Sequence, residues 1–585
     1  MYSVLNQKAQ ENLINAFAQY NHTPSPDQLN AVLAIQSTLT RMLSGMAAPK
    51  YYLSALDPGM GKTTAILAWL GALLERREAY DNQGVLIALE RLEEVERYIE
   101  DRRIPQDCYA VLVGEGEDLN NRGLGVKGRD SALILFTTKA QIHKRCQNRN
   151  FNDVKVFQYN GHPRKVKVWD ESFSIGKEAI LNPCDFGKLF TALSAVSAEL
   201  YDAVRQVVNE ITAHNNGDTY LMPELPSFTD ELQREVVWES SKDKELAELL
   251  WTLSGQLVSI RMNKNRQVVV DCVPSIPDDF APCLILDASG RLKPTYELQA
   301  EERKDIIWLP TSNKSYRNLE VQVWPKASGK QIIKHMDVVL PEVIALITAR
   351  PTEPFLIILH KDHKEPFSKA LSRQLSTAEQ ELVFYCTWAR HTATNEFSHI
   401  ANIIMLSPFQ FPDYAYEAIT RAATVMTTAN GKPDKEHVSR VKRGEILSNI
   451  LQAVNRGKVR KSEGDTCPQC RLWLITHPNT GIATDLQIIF PGCKVAPWKL
   501  RTVHLATKKQ RSTFAHIQVL IKQGTSYVLA ATVRDYLDIK GSANNYTRDV
   551  LKQAAFIDAL ASIGWRCMKI GRDYVFKDQK MVEVI

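Results

Sequence analysis

Short apolar runs alternate with amphipathic stretches along the first third of the chain. Tyr51–Leu56, Val85–Leu89, Ala110–Val113, Ala132–Phe136 and Val166–Trp169 read as strands. Their alternation with helical pattern predicts a parallel sheet flanked by helices. Strand-like runs resume at Cys283–Leu286, Leu319–Val323, Phe355–Leu359 and Ile403–Leu406, giving a second α/β block that reaches about residue 492. Between about 176 and 270 the period changes. Phe186–Asn215 and Glu231–Ser259 carry Leu, Ala and Val at three- and four-residue spacing, which predicts a mostly helical insert. Residues 1–48 read as polar helix interrupted at Pro24-Ser25-Pro26, and Gly114–Asp130, with five glycines and many charges, as a surface loop. No internal repeat of solenoid period is present.

The tail has its own pattern. Helices are expected at Phe514–Lys522, Ala531–Leu537 and Asn545–Ile563, then a hairpin over Trp565–Phe576 turning near Gly571. Helices followed by a β-hairpin outline a winged helix. The alternative is a small α+β dimerisation or docking module.

Composition narrows the class. The 585 residues are 44% hydrophobic and 24% charged, an ordinary globular balance with room for about four domains. No apolar run approaches the roughly 20 residues that span a bilayer, so no membrane partner is expected. Residues 1–8 turn polar before a signal-peptide core could form. Ten scattered cysteines, with only Cys467 and Cys470 close together, suit a reducing, cytoplasmic setting. Net charge is +6, but from Leu486 to Arg534 there is no acidic residue and there are eight basic ones: Lys494, Lys499, Arg501, Lys508, Lys509, Arg511, Lys522 and Arg534. This is a candidate polyanion surface, against the plainer reading of a solvated basic face.

The sharpest chemical signal is Leu56-Asp57-Pro58-Gly59-Met60-Gly61-Lys62-Thr63-Thr64, placed after a strand and before the helix Ala65–Leu74. Its glycines let backbone N–H groups approach phosphate oxygens, and the helix N-terminus adds its positive dipole end. Lys62 would reach the β- and γ-phosphates of ATP and Thr63 would ligate Mg²⁺. Residues 58–64 are the expected nucleotide contacts. The usual first glycine is Leu56. The second signal is Val166-Lys167-Val168-Trp169-Asp170-Glu171, an apolar strand ending in two acids. Asp170 would hold Mg²⁺ through water, and Glu171 would polarise the attacking water.

Further segments follow the order found in superfamily 2 helicases, and the chain resembles the XPD/DinG branch over roughly residues 20–492. Thr23-Pro24-Ser25-Pro26-Asp27-Gln28 resembles the upstream glutamine motif, which implies an adenine contact for Gln28. Leu86–Arg91 lies where motif Ia does, and Leu135–Gln141 is similar to the strand-end threonine motif; the resemblance implies nucleic-acid contacts at Arg91, Thr137 and Thr138. Leu286-Asp287-Ala288-Ser289-Gly290 holds the place of motif III, implying coupling roles for Asp287 and Ser289. Thr394-Asn395-Glu396-Phe397 with Ile403–Phe409 is similar to motif V, implying strand contacts at Thr392, Thr394 and Asn395, with His391 beside them. Gln452–Arg460 is similar to motif VI, implying catalytic roles for Gln452, Arg456 and Arg460. The family places its second arginine seven residues after the glutamine; here Arg460 stands at eight. On one helix Gln452, Arg456 and Arg460 would share a face. Arg421, in Ile419-Thr420-Arg421-Ala422, is a rival finger.

The resemblance implies two RecA-like P-loop domains (49–175 with 271–315, and 316–492), an N-terminal helical segment (1–48), an arch-like helical insert (176–270) and a basic linker with a winged-helix-like module (493–585). It implies ATP hydrolysis coupled to translocation or unwinding of nucleic acid, single-stranded DNA first and RNA as the alternative. The oligomeric state is not legible. A nucleic-acid-binding ATPase switch and a DNA-packaging motor are the alternatives. The ensemble also resembles helicase-like proteins of phages, plasmids and integrated elements, which suggests replication of such an element or defence against one. With only Cys108 and Cys146 between the two phosphate-site motifs, the iron–sulfur cluster of XPD-like enzymes is not expected. Cys467 and Cys470 make half a zinc site that Cys493 and His477 could complete.

Overall fold

The computed structural model describes residues 2–80, 82–228, 231–326, 332, 334–388, 396–500 and 507–578. The chain forms two compact units. The first comprises residues 1–330, 354–364 and 383–496, and the second 331–353, 365–382 and 497–585.

The first unit holds two α/β sheets. One has seven strands in the order Ile306–Trp308, Tyr51–Ser54, Cys283–Leu286, Val166–Asp170, Val85–Leu89, Ile134–Thr138, Tyr109–Leu112, all paired in parallel. All but the edge strand Ile306–Trp308 are buried on both faces, which is why the sequence shows them as apolar runs. The parallel arrangement carries the ends of Ser54, Asp170, Thr138 and Leu286 to one edge, where sites form in open α/β sheets. The helices Tyr2–Gln19 and Pro26–Leu43 close one face over the helix Lys62–Leu74; Leu5, Ala9, Leu13 and Phe17, four residues apart, supply the stripe that does so. The break between these helices falls at Pro24–Ser25 as expected, with Ser25 capping the second.

The second sheet runs Val383–Thr387, Phe355–Leu359, Asn402–Met405, Cys470–Thr476, Leu319–Pro325, Lys494–Pro497, and the first five of these strands pair in parallel. Two parallel sheets with flanking helices are the RecA-like pair that the residues led us to expect. Strands 306–308, 383–387, 470–476 and 494–497 are additions to those the apolar runs predict. Among the described residues no helix is long and apolar enough to cross a membrane.

The insert differs from expectation. It is α+β, not helical. Gly176–Leu181, Arg266–Pro274, Leu257–Asn263 and Thr219–Leu221 make a four-stranded antiparallel sheet in that order. The helices Phe190–Val196, Ala198–Ala213, Glu231–Ser240 and Lys244–Thr252 cover one face. The helical reading overruns because the sheet's strand Arg266–Pro274 is buried on both sides. Val258, Ile260 and Val269 face the insert's own helices, whereas Val268 and Val270 meet Ala418 on the helix Asp413–Thr424 of the second block. The period-2 alternation that would mark a strand is therefore lost at Val268-Val269-Val270, although Leu257–Asn263 keeps it.

In the second unit, the C-terminal module has helices Lys508–Lys522, Ala530–Tyr536 and Ala554–Ser562 and a hairpin, Trp565–Ile570 with Asp573–Asp578, turning at Gly571 (φ +60°). Tyr527–Leu529 adds a third antiparallel strand. The long helix expected over 545–563 is interrupted by a wide turn at Thr547–Leu551. Ile517, Val533, Phe556, Leu560, Trp565 and Phe576 form its core.

Arg421 ties the insert to the second block. It is 1% exposed and donates to Ser259 Oγ at 3.1 Å, to the carbonyls of Met426 and Gly431 at 3.1 Å each, and to Glu417, which also pairs with Arg261 at 2.6 Å. We expect Arg421→Ala to leave Glu417 and these acceptors under-satisfied and to cost about 3–5 kcal/mol, the usual penalty for breaking a buried pair. A lowered urea midpoint with near-normal activity of the folded protein is the expected result; an unchanged midpoint would mean that water replaces the guanidinium.

Candidate nucleotide-binding site

The phosphate loop needs its glycines. Gly59 and Gly61 have φ of +82° and +93°. A Cβ on Gly59 would lie 1.9 Å from the Arg460 carbonyl oxygen, and one on Gly61 2.9 Å from the Phe17 ring. Lys62 opens the helix with its ammonium folded back, donating to the Leu56 carbonyl and, at 3.2 Å, to that of Asp57. Burial lowers its pKa to about 8, opposed by Asp170 and Asp57. Asp57 is buried as well. It accepts from Arg291 at 2.7 and 3.2 Å and from the Tyr316 hydroxyl at 3.0 Å.

The paired acids stand at the end of their strand. Glu171 has φ +68°, a left-handed conformation that costs a non-glycine residue energy, and its N–H donates to the Leu286 carbonyl at 2.9 Å. Strain of this kind is tolerated where surrounding structure fixes a functional side chain. Asp170 is buried, and burial followed by the Glu171 charge raises its pKa. It accepts a hydrogen bond from the Tyr98 hydroxyl at 3.1 Å. Glu94 is close enough to both acids to be perturbed by them; burial first, then Glu171 and Asp170, push it up to about 7.

A cavity of about 580 Å³ joins these groups. One wall is Pro58, Gly59, Gly61, Lys62, Thr63 and Thr64, with Asp170 and Glu171 beyond them. The facing wall, from the second block, is Gln452, Arg456 and Arg460. Phe17, Tyr20 and His22 line it too, as do Glu94 and Arg97. The lining carries five cations (Lys62, Arg97, Arg456, Arg460, Lys461) against three carboxylates, an excess that suits a polyphosphate accompanied by a divalent ion.

Several expectations need adjustment. Gln452, Arg456 and Arg460 meet in the cavity, but not along one helix. The helix Lys435–Val454 ends before Arg456, Asn455 caps it, and Arg460 sits in a separate turn, Lys458–Arg460. Gly457 explains the break: a Cβ there would lie 2.9 Å from the Ile400 carbonyl oxygen. Arg456 is buried, which lowers its pKa to about 10 against the pull of Glu171. Arg421 does not line the cavity. Gln28 reaches the loop from behind: its Nε2 donates to the Met60 carbonyl at 3.2 Å, and its Oε1 lies 3.1 Å from His22 Nε2. Gln28 and Met60 are both buried and neither lines the cavity.

Asp287 and Ser289 lie on a chain of hydrogen bonds. Gln452 Nε2 donates to Ser289 Oγ at 3.1 Å; Ser289 Oγ donates to Asp287 Oδ1 at 2.7 Å. The Tyr296 hydroxyl donates to Asp287 Oδ2 at 2.9 Å and accepts from the Phe173 N–H at 3.0 Å, just past Glu171. Of the expected strand contacts, Arg91 is half-buried and caps the helix Leu92–Arg102. Thr138 caps the helix Lys139–Cys146. Thr137 is fully buried and its hydroxyl donates to the Leu112 carbonyl at 2.8 Å, so it holds the sheet rather than presenting a surface hydroxyl. His391, Thr392, Thr394 and Asn395 lie outside the described residues.

Thr63 and Asp170 fit Mg²⁺ in kind: both offer hard oxygens, and both line the same cavity. No cluster of three or more metal-ligating side chains occurs among the described residues. Cys467, Cys470 and Cys493 are buried thiols whose pKa burial raises, and His477 Nδ1 instead accepts from the Asn479 N–H at 3.2 Å. Sequence reasoning misses Asp57, Glu94, Arg97, Tyr98, Arg291, Lys314 and Tyr316. Only Asp57, inside the motif itself, carries any signal.

No protein-family model matches the chain, and no curated protein matches it in sequence. Among solved structures, S. tokodaii Xpd4 is similar at 12% identity over 80% of this chain and 99% of that one, with a TM-score of 0.48. A structure titled XPD_Helicase is similar at 11% identity over 81% and 100%, TM-score 0.44. Mycobacterium smegmatis helicase Lhr bound to ssDNA and AMP-PNP is similar at 13% identity over 97% and 60%, TM-score 0.36.

The geometry ranks the arginines. Arg456→Ala should lower ATP hydrolysis by about 10³–10⁵, the range of an arginine finger, while Arg421→Ala should leave the rate of the folded enzyme within a few fold. Steady-state phosphate release from both variants checks this, and the reverse order would move the finger to Arg421.

Proposed function

We propose that this chain is an ATP-driven nucleic-acid motor, a helicase or translocase acting on single-stranded DNA, with RNA as the alternative. One observation supports the reading above the others: a phosphate loop and two acids from one α/β block share a cavity with Gln452, Arg456 and Arg460 from the other. A nucleotide in such a seam is held from both sides, so its turnover changes how the blocks fit together.

The residues divide the work. Lys62 would turn from its own loop's carbonyls to the β- and γ-phosphates. Mg²⁺, held by Thr63 and Asp170, would neutralise phosphate charge. Glu171, positioned by its strained backbone, would orient and polarise the attacking water. Arg456 and Arg460 would meet the charge that develops on the transferred phosphoryl group. Phe17, Tyr20 and His22 offer a partly aromatic wall to the base. The chain from Gln452 through Ser289, Asp287 and Tyr296 to Phe173 would report across the seam whether the site is closed.

A second cavity, of about 400 Å³, supports a nucleic-acid partner. Lys144, Arg145, Arg149 and Arg234 line it, with Glu115 the one acid. None of the four cations makes an ion pair among the described residues. Trp238 lies beside it, 5.7 Å from Lys144 Nζ. Four cations gathered in a concavity with a single acid repel one another, and a phosphodiester backbone would relieve that cost. The acid-free run from Leu486 to Arg534 and the winged-helix-like C-terminal module extend the same reading to duplex. A cytoplasmic setting and a role in replication of, or defence against, a mobile element belong to this proposal.

Glu171→Gln should bind ATP and nucleic acid yet barely turn over, whereas Lys62→Ala should lose turnover and nucleotide affinity together. Phosphate release with and without single-stranded DNA, RNA and duplex, beside fluorescent-nucleotide binding, tests both. Full activity of folded Lys62→Ala would refute the site.

Removing Arg149 and Arg234 together should flatten the salt dependence of single-strand binding. Each phosphate left without its cation takes about 0.7 off the log–log slope, and basal ATPase should survive. An unchanged slope would return the cavity to solvent.

A further inference from the structure

The helix Leu92–Arg102 presents Glu94 and Arg97 to the nucleotide cavity, while Tyr98, one turn beyond Glu94, lies behind the lining against Asp170. Tyr98 is fully buried, packed in the core of the first sheet beside Phe136 at 6.1 Å between ring centroids. Its hydroxyl donates to Asp170 Oδ2 at 3.1 Å, with the Thr63 side chain beside it. Asp170 and Thr63 are the groups that would hold Mg²⁺; Asp170 ends the strand Val166–Asp170 and Thr63 lies in the first turn of the helix Lys62–Leu74.

We propose that Tyr98 is a positioning residue for the metal: its hydroxyl fixes the Asp170 carboxylate in the orientation that Mg²⁺ requires. This rests on the nucleotide-site reading above. A buried carboxylate that keeps one oxygen on a fixed donor loses rotamer freedom, so the other oxygen is presented in one direction. Partners that orient ligands in this way govern metal affinity by about 10–100-fold. The helix that carries Tyr98 begins at Arg91, in the segment resembling motif Ia. A rigid helix with Arg91 at one end and Tyr98 two turns on would carry a displacement at the strand-contact end directly to the metal ligands.

Tyr98→Phe retains the ring and removes one oxygen. Affinity for a fluorescent ATP analogue, measured in EDTA and across a Mg²⁺ titration, separates the metal from the nucleotide. We expect affinity in EDTA within twofold of the original chain, a Mg²⁺ requirement for half-maximal binding and for half-maximal hydrolysis raised about tenfold or more, and kcat largely recovered at saturating Mg²⁺. On an Asp170→Asn background Tyr98→Phe should add nothing. Placing 4-aminophenylalanine at position 98 restores a weaker donor on the same ring. It should leave the requirement raised only a few fold, and it decides the matter if the phenylalanine variant does not fold. An unaltered Mg²⁺ requirement, with only the melting temperature lowered, would make Tyr98 a packing residue and overturn the proposal while the nucleotide site stands. If the original chain binds no nucleotide in Mg²⁺ or EDTA, the site reading itself fails.

Discussion

The carboxylate of Asp57 holds the nucleotide site in its working shape. It lies inside the phosphate loop, where nothing in the chemistry of ATP calls for an acid. It is 1% exposed and meets Arg291 through two hydrogen bonds and Tyr316 through a third. Arg291 also donates to the carbonyls of Ile488 and Ile489 at 2.6 and 2.7 Å, the C-terminal end of the helix Ile482–Ile489. A cation at a helix C-terminus meets the negative end of its dipole. One arginine thus connects the loop of the first block to a helix of the second. Removing either partner would leave a charge buried without its counterpart, which is where such pairs are costly.

A second cation repeats the arrangement from the other side. Lys314 donates to the carbonyls of Val459 and Arg460 at 2.8 Å each and lies 3.5 Å from that of Pro58. Burial lowers its pKa to about 8. Together Arg291 and Lys314 set the arginine-bearing turn against the phosphate loop so closely that Gly59 admits no side chain. Specificity of register across the seam is therefore supplied by buried charge, and the apolar cores of the two sheets supply the stability on which it rests.

This division explains what could be read in advance. Strands such as Val85–Leu89, Cys283–Leu286 and Phe355–Leu359 agree to the residue with their apolar runs, because burial on both faces leaves no polar position to blur the ends. Lys62, Thr63, Asp170 and Glu171, picked out by residue type and spacing, are brought to one cavity. Arg456 and Arg460 were legible in identity but not in geometry, since the turn at Gly457 depends on Ile400 from another strand end. Arg291, Lys314 and Tyr316 act through long-range contacts that have no period and no local motif. The insert failed for a related reason: its central strand is sandwiched between its own helices and Ala418, so its alternation disappears.

That sandwiching also constrains how the seam can move. The insert is rooted in the first block, leaving it after Glu171 and returning before the strand Cys283–Leu286. Its sheet nevertheless lies on the helix Asp413–Thr424 of the second block, held by Arg261 on Glu417, Arg421 on Ser259, and the Thr428 N–H on Asp271 at 3.1 and 3.2 Å. At Gly176 a side chain would strike the Ala422 carbonyl oxygen at 2.7 Å. Covalent attachment to one block and packed contact with the other make the insert a tether beside the nucleotide cavity. If the cavity opens after hydrolysis, either this contact slides or the blocks rotate about it. Buried bidentate pairs resist sliding more than rotation, because sliding separates every donor from its acceptor at once. Rotation about the insert contact, opening the seam at the end where Gln452 meets Ser289, is the motion that preserves most of these insert bonds, and it separates Gln452 from Ser289 between the two α/β blocks.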